Sequence, residues 1–568
     1  MHVFVLALRR LRGPLITLIS VYAIAVLGLT LIPGVDQDGN PVRMDFFHAF
    51  YFVSFTGSTI GFGELPYTFT AGQRFWVILC IYFSVIAWLY TIGRGIALAQ
   101  EPAFRQAVTR GGFERAVNRI HERFYIICGY GDTGRLLVDG FTARGTRTIV
   151  IDKEQQRIND LALAALEIYV PGLCADAEHP DSLLSAGLMD IHCAGVIAVT
   201  SSDQVNLKVA ITSKLLHPEL PVICRSEIHD VGINMESFGT DDIVNPFDIF
   251  ADRLATALHS PANYIIRRWL TSPAGTQLSE PLFPPRGRWI LCGYGRFGKA
   301  VDRFLSFEGV EATVIELDPK QTDAPYNTIV GRGTEAVTLR EANVEQTAGI
   351  IAGTDDDTNN LSIIMTAREI NPDLFIVARQ NRQRNSALFE AANVHIVMQR
   401  SDIIARTIIT RIVNPLLSEF LDKLPDNDPE WSNTLASRIS GACGDYAHTW
   451  NLILTRSRSP ALAVSLYQGA EITLSVILDE AQKCTGEKAS PLPLLLKREK
   501  ETVMLPETDT VLKHGDQLLF CGTPSADNRI TWIAGNLNAL ESAIQGAADD
   551  SATQIDREQT AASSLRAK

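Results

Sequence analysis

The chain has 568 residues, a formal net charge of −13 and a pI near 5.4. That length holds about three or four domains, each able to bury its own core, and an acidic chain with no basic stripe to neutralise phosphates excludes an electrostatic nucleic-acid binder. Nine scattered cysteines, with no C-x-x-C pair and no histidine at ligand spacing, exclude a zinc site of that kind and point to a reduced, cytoplasmic bulk.

The first hundred residues differ from the rest. Leu15 to Ile32 and Phe75 to Gly93 carry no charge over 18 and 19 residues. At ~1.5 Å per residue each reaches roughly 27 to 29 Å, close to the hydrocarbon core of a bilayer. The spacing predicts spanning helices at about 15–32 and 75–97 within a membrane module over 1–100. A cleaved signal peptide is the alternative for the first stretch and a buried core helix for the second; the first, however, outruns a signal peptide's apolar region and ends at Pro33 and Gly34. Arg9, Arg10 and Arg12 precede the first stretch and Arg94, Arg105 and Arg110 follow the second, while the loop between carries Asp36, Asp38, Asp45 and Glu64 against Arg43 and Arg74. Both termini are therefore expected in the cytoplasm, in a protein that crosses the lipid bilayer of an inner (plasma) membrane twice.

Residues 45–64, DFFHAFYFVSFTGSTIGFGE, are apolar and aromatic but too short to cross after a turn, which predicts a re-entrant helix and loop. Non-helical backbone at membrane depth is tolerated only where protein surrounds it or where it lines a wet cavity. Thr59-Ile60-Gly61-Phe62-Gly63 falls in that loop and resembles the potassium channel signature, T-x-G-x-G after a short pore helix between two spanning helices. The resemblance implies a selectivity filter in which glycines 61 and 63 take φ > 0 and the carbonyls of Thr59, Ile60, Gly61 and Phe62 replace the water shell of a permeant K+. It also implies a homotetramer. The sequence departs from the commonest pattern at Ile60, at Phe62 in place of tyrosine and at Glu64, and no tryptophan stands in the pore-helix stretch; a non-selective cation channel is the alternative. Gly93 and Gly95, flanking Arg94, are candidate gating hinges, with helix packing as the other reason for glycine there.

A polar, arginine-containing connector covers 101–120. FYIICGYGDTG then leads a short apolar strand into G-x-G-x-x-G at Gly129, Gly131 and Gly134, and TIVID ends in Asp152, 23 positions after the first glycine. This is the dinucleotide fingerprint, glycines for close pyrophosphate approach and an acid for the ribose hydroxyls. RWILCGYGRFG repeats it at Gly293, Gly295 and Gly298, and TVIE ends in Glu316, again 23 positions on. Fingerprint and acid are displaced by 164 positions; Asn206 and Asn360, Arg225 and Arg379, and Asp248 and Asp402 are displaced by 154. One net ten-residue deletion in an internal duplication explains both offsets. Alternating strand and helix in each copy predicts a parallel doubly wound sheet with its crevice at the strand carboxyl ends.

The candidate cofactor-binding residues are Gly129, Tyr130, Gly131, Asp132, Thr133, Gly134, Asp152, Thr200 and Arg225 in the first copy. In the second they are Gly293, Tyr294, Gly295, Arg296, Phe297, Gly298, Glu316, Thr354 and Arg379. For the two arginines at the strand ends, a structural salt bridge is the other reading. Asp132 sets a negative charge and Arg296 a positive one where pyrophosphate is expected, so an anionic ligand is expected to prefer the second copy. The acids at 152 and 316 disfavour a 2'-phosphate, pointing to NAD(H) or an adenine nucleotide (ADP or ATP) over NADP.

Two such domains in series resemble the RCK domains, regulators of potassium conductance, found also in TrkA-type uptake regulators. The resemblance covers roughly 120–525. It implies a fold of a two-span α-helical pore module, tandem α/β Rossmann-like (RCK) domains and a carboxyl-terminal α+β lobe. The expected segments are 121–275 for the first RCK domain with its crossover helix (Asp248 to Leu270), 276–287 for a linker, 288–425 for the second RCK domain and 430–525 for a TrkA-C-like lobe, with Gly515-Asp516 as a hairpin turn. The tail 546–568 lacks hydrophobic periodicity and is expected to be disordered. Ca2+ is raised by Asp355-Asp356-Asp357 and by Asp176, Glu178 and Asp181, although acidic runs usually form solvated loops, and no metal ligands are assigned.

The function these features imply is a ligand-gated potassium channel subunit whose RCK ring senses a small-molecule nucleotide. A membrane-tethered nucleotide sensor is the competing class. An NAD-dependent oxidoreductase lacks an evident acid or base for hydride chemistry, and no enzyme is expected.

Overall fold

The computed structural model describes residues 2–35, 40–272, 275–280, 282–485 and 490–546. Asp36, Asp38 and the tail from 547 onward, expected to be disordered, lie outside the described residues. Two compact units divide the chain, one over Met1–His121 with two short later segments, the other over most of Glu122 onward.

In the first unit, helices α1 (His2–Leu31) and α3 (Ala71–Gln100) run beside each other with the short helix α2 (Phe46–Gly57) between them in sequence. α1 and α3 pack closely because Gly28 has no side chain: a Cβ there would lie 2.1 Å from the Trp76 ring, whose Nε1–H donates to the Ala25 carbonyl at 3.1 Å. Thr70 and Gln73 cap α3 reciprocally. Arg10 and Glu101 pair at 2.6 Å at the opposite end. The helical stretches Arg9–Leu31 and Ala71–Gln100 are long and apolar enough to cross a membrane, and only 22% and 17% of their apolar windows are buried within the chain. A soluble core helix would be mostly covered, so the exposed Ile19, Ile24, Leu27, Phe75, Tyr82, Phe83 and Leu89 belong against lipid or another protein surface.

The second unit holds two six-stranded parallel sheets. The first runs in the order Gly172–Cys174, Arg147–Asp152, Phe124–Cys128, Cys193–Ala198, Val222–Arg225, Asp242–Val244. The second repeats that order with Ile329–Val330, Ala312–Glu316, Trp289–Cys292, Gly349–Ala352, Phe375–Gln380 and Ile396–Gln399. Both are doubly wound sheets whose strand order reverses beside the first strand. The strands are covered on both faces, which is why IIC, IVI and VIA read as unbroken apolar runs; all nine of those residues are fully buried.

Each sheet's last helix packs on the other copy. Phe247, Phe250, Leu254 and Leu258 of the helix Pro246–His259 join Trp289, Phe297 and Val301 in one core. Reciprocally, Ile404, Ala405 and Ile408 of the helix Arg400–Val413 join Leu137, Val138 and Phe141. Fully burying such side chains stabilises by about 1.5–3 kcal/mol each, so the two copies share their cores.

A four-stranded antiparallel sheet closes the unit, in the order Thr449–Ile453, Gln517–Cys521, Leu492–Arg498, Glu501–Met504. The hairpin between consecutive strands turns at Glu499 (φ 53°) and Lys500. Gly515-Asp516, expected as a hairpin turn, instead leads into Gln517–Cys521, which pairs with strands distant in sequence. Its buried Asp516 accepts two hydrogen bonds from Arg498, at 2.8 and 2.7 Å, and that ion pair fixes the turn.

Candidate functional site

The loop after α2 carries the first candidate site. α2 is capped by Asp45, which accepts from the His48 amide at 3.3 Å, and its last turn closes by Ile60 N–H donating to Phe55 at 2.9 Å. Beyond it the backbone is left-handed at every second residue: Thr59 has φ 62°, Gly61 67° and Gly63 98°. In a strand successive carbonyls alternate sides, whereas alternating left-handed residues turn them toward one side. A Cβ at Gly61 or Gly63 would meet nothing within 4 Å, so glycine is required there by backbone conformation alone. Phe62 packs edge-to-face on Phe55 at 5.4 Å, Phe55 on Phe52 at 5.0 Å, and Phe52 on Phe69 at 4.9 Å. Stacking thus braces position 62, where the sequence offers no tyrosine hydroxyl. Gly93 and Gly95 lie within unbroken α3, each with open space where a Cβ would stand.

In the first nucleotide-type copy, Gly129 (φ 105°) ends its strand and Gly131 caps the helix Asp132–Thr142, whose first turn contains Asp132. Gly134 lets that helix reach the strand, since a Cβ would lie 2.1 Å from the Gly129 carbonyl. Tyr130 and Thr133 are buried. Asp152 is buried and accepts from the Tyr130 and Glu154 amides at 2.7 and 2.8 Å and from Arg157 at 3.2 Å. Its carboxylate is already held by this chain's own donors. Thr200 bonds Asn206, and Arg225 donates to the Thr200 carbonyl at 3.0 Å.

The second copy leaves an open crevice of about 460 Å³. Gly293, Gly295, Arg296, Glu316, Thr354 and Arg379 line it together. Gly298 again permits close helix approach, Phe297 is fully buried beneath, and Tyr294 donates its hydroxyl to Asp302 at 2.8 Å, so these three support the crevice without lining it. Glu316 accepts from the Tyr294 amide at 2.5 Å and the Asp318 amide at 3.1 Å. Arg379 stacks over Phe247 at 5.1 Å; burial first, then the nearby Arg400, pushes its pKa down to about 10. Arg332, unremarked in the sequence, also lines this crevice.

Carboxylates of the first copy pair with arginines of the second, Asp248 with Arg303, Asp242 with Arg411 and, outside the motifs, Glu227 with Arg296. Glu227, buried after the strand Val222–Arg225, is ion-paired with Arg225 of its own copy and with Arg296 at 3.1 Å and Arg400 at 2.8 Å from the second. Asp203 positions it by accepting the amides of Glu227 and Ile228 at 2.8 and 2.9 Å. Burial raises the pKa of Glu227, but Arg225, Arg400 and Arg296 together outweigh it and hold the carboxyl below its ordinary range. Arg225 is therefore half of a buried ion pair, and Arg296 of the second glycine loop is shared between the crevice and Glu227. The 154-residue offset carried the signal: the position matching Glu227 is Asn381.

The acidic runs are spent on structure. Asp356 caps the helix Asp357–Ile370, and Asp357 accepts the Asn381 and Arg382 amides at 2.6 and 3.1 Å. Glu178 pairs with Lys208 at 3.2 Å. Among the described residues no group of three or more His, Cys, Asp or Glu side chains is placed to hold a metal ion.

Residues 16–101 match the ion channel family, and residues 125–246 and 289–400 each match the TrkA-N domain. Potassium channel protein 1 of Methanocaldococcus jannaschii is 28% identical over 220 residues, 38% of this chain and 63% of that protein. Probable potassium channel protein 2 of the same organism is 26% identical over 248 residues, 42% and 65%. The chain thus spans just under two thirds of the length of these relatives. Among solved structures, the GsuK channel is 16% identical with a TM-score of 0.49, covering 93% of this chain and 99% of that one; the GsuK channel bound to NAD gives 15% and 0.48, covering 94% and 100%. The domain matches are to a channel family and not to an oxidoreductase. With a channel domain over its two apolar helices and a TrkA-N domain on each of its doubly wound sheets, the chain belongs to the ion-channel proteins that carry tandem TrkA-N domains.

Proposed function

We propose that the chain is one subunit of a homotetrameric potassium channel of the cell membrane, with both termini cytoplasmic, gated by nucleotide in its TrkA-N domains. The observation that carries the pore is the left-handed backbone at Thr59, Gly61 and Gly63 in a loop between two spanning helices. Carbonyls of Thr59, Ile60, Gly61 and Phe62 from four subunits then surround K+. Gly93 and Gly95 serve as the hinge of α3, for which their open surroundings support no packing role within the chain.

The regulatory ligand, NAD(H) or ADP or ATP, sits in the second crevice, its phosphates on Arg296, Arg379 and the amides of the helix Arg296–Phe307, its ribose on Glu316. Phosphate and Glu227 compete for Arg296, so the ligand favours an arrangement of the two copies in which that ion pair is loosened, and differential affinity moves the gate. In the first copy Asp132 sets a negative charge at the phosphate turn, and Asp152 is buried and ion-paired with Arg157, so the ligand favours the second copy.

The test is potassium flux into liposomes containing the wild type or Gly61→Ala. Alanine is strained at φ 67°, so the wild type conducts and the variant loses flux while remaining folded and inserted. A wild type that conducts nothing under any ligand condition supports the tethered-sensor reading instead.

A further inference from the structure

The exchanged helices leave a second cavity in this unit, of about 520 Å³, between the helices Pro246–His259 and Pro261–Leu270 and the segment from Val394 to Arg406. It shares no lining residue with the glycine-loop crevice. Arg253, Arg267, Arg268 and Arg406 line it against a single described carboxylate, Asp402. That carboxylate is already taken, because Arg406 donates to it at 2.7 Å. Arg267 donates to the neutral Leu421 carbonyl at 2.8 Å. Arg253 makes no hydrogen bond and no ion pair among the described residues, and burial first, then the neighbouring Arg267, pushes its pKa down to about 10. His395 accepts the Ile376 amide on Nδ1 at 3.0 Å, and burial lowers its pKa, so the neutral ring carries its proton on Nε2 as a further donor. An adjoining cavity of about 330 Å³ shares Arg253, Arg267 and Arg406 but adds Asp248, Asp252 and Asp422. Arg267 is attracted by Asp422 and Asp252 on that side, so the positive charge left for the larger cavity is carried by Arg253, with Arg268 beside it.

Arg253 and Arg267 are half-buried in the cavity wall and Arg268 is exposed, and a guanidinium with free donors in a concave site matches the geometry of a phosphate oxygen pair. We propose that this cavity binds a small phosphate-bearing anion through Arg253 and Arg267, with Arg268 at its rim. Because both copies build its walls, occupancy links them independently of the nucleotide crevice.

The experiment is titration of the full-length protein in detergent with inorganic pyrophosphate and, separately, with ADP, using the wild type, Arg253→Gln and Arg296→Gln. Pyrophosphate binds the wild type, Arg253→Gln loses at least about tenfold in affinity, and Arg296→Gln keeps it. Without anion, Arg253→Gln melts no lower than the wild type, since Arg253 has no hydrogen bond or ion pair among the described residues to lose. ADP that binds Arg296→Gln through Arg253 identifies a nucleotide as the source of the phosphate; pyrophosphate binding without ADP binding there identifies a free anion. No pyrophosphate binding to the wild type, equal affinity in Arg253→Gln, or loss in Arg296→Gln alone overturns the proposal, the last while leaving the crevice reading intact. Arg253→Lys, which keeps the charge but not the planar fork, carries the same test if the glutamine variant does not fold.

Discussion

Glu227 ion-pairs with arginines of both TrkA-N domains, and its chemistry makes two predictions. Glu227→Gln leaves the buried Arg225 without its anion and half-buried Arg400 without a partner, which costs about 3–5 kcal/mol of stability and lowers the melting temperature. It also frees Arg296, so ADP affinity is expected to rise about three- to tenfold, measured by titration. The pH dependence has a fixed sign. The folded carboxyl titrates below its ordinary value of 4.5, so its stabilisation is present above about pH 4.5 and is lost as pH falls below it. Melting curves of the wild type and Glu227→Gln therefore stay apart above that pH and converge below it. An unchanged gap at low pH contradicts the ion-pair account. The glycines and acids of both fingerprints were legible in the sequence because close approach and charge demand particular residue types. Glu227 was not, because a carboxylate is common after a strand and only comparison with Asn381 marks it.

At the scale of elements, the exchange of helices between copies depends on small residues at the crossing. A Cβ at Gly140 would lie 2.4 Å from the Ile409 Cδ1 of the incoming helix. Gly140→Val is expected to destabilise by about 1–3 kcal/mol through overpacking, read as a lower melting temperature of the full-length protein; an unaltered melting temperature contradicts this packing. The doubly wound sheets were readable from apolar strand runs and the fixed spacing of the fingerprints. Which copy each last helix covers was not, since an amphipathic face states that it will be buried and not against what. The carboxyl-terminal sheet shows the same limit: Gly515-Asp516 has turn chemistry, yet the buried Arg498–Asp516 pair makes it the entry to a strand with distant partners. Around the filter, the aromatic chain Phe62–Phe55–Phe52–Phe69 replaces the bracing that the sequence lacked, and Phe55→Ala is expected to reduce potassium flux at least severalfold with the helices still inserted. Undiminished flux would show that position 62 needs no such support.

At the scale of the whole molecule, two apolar helices with most of their surface uncovered and two TrkA-N domains joined through shared cores stand in one chain. The segment from Glu101 to Arg123 joins α3 covalently to the first strand of the doubly wound sheets. The proposed pore requires four filter loops around one axis, so native mass measurement of the solubilised protein is expected to give four copies of 62.4 kDa; a monomer or dimer contradicts the pore. The most direct test of nucleotide gating is potassium flux in liposomes, with and without ADP or NAD(H) on the face bearing the TrkA-N domains, for the wild type and Arg296→Gln. The account predicts that both conduct and that nucleotide changes flux only in the wild type. Absence of flux in the wild type, or an equal nucleotide response in Arg296→Gln, contradicts it.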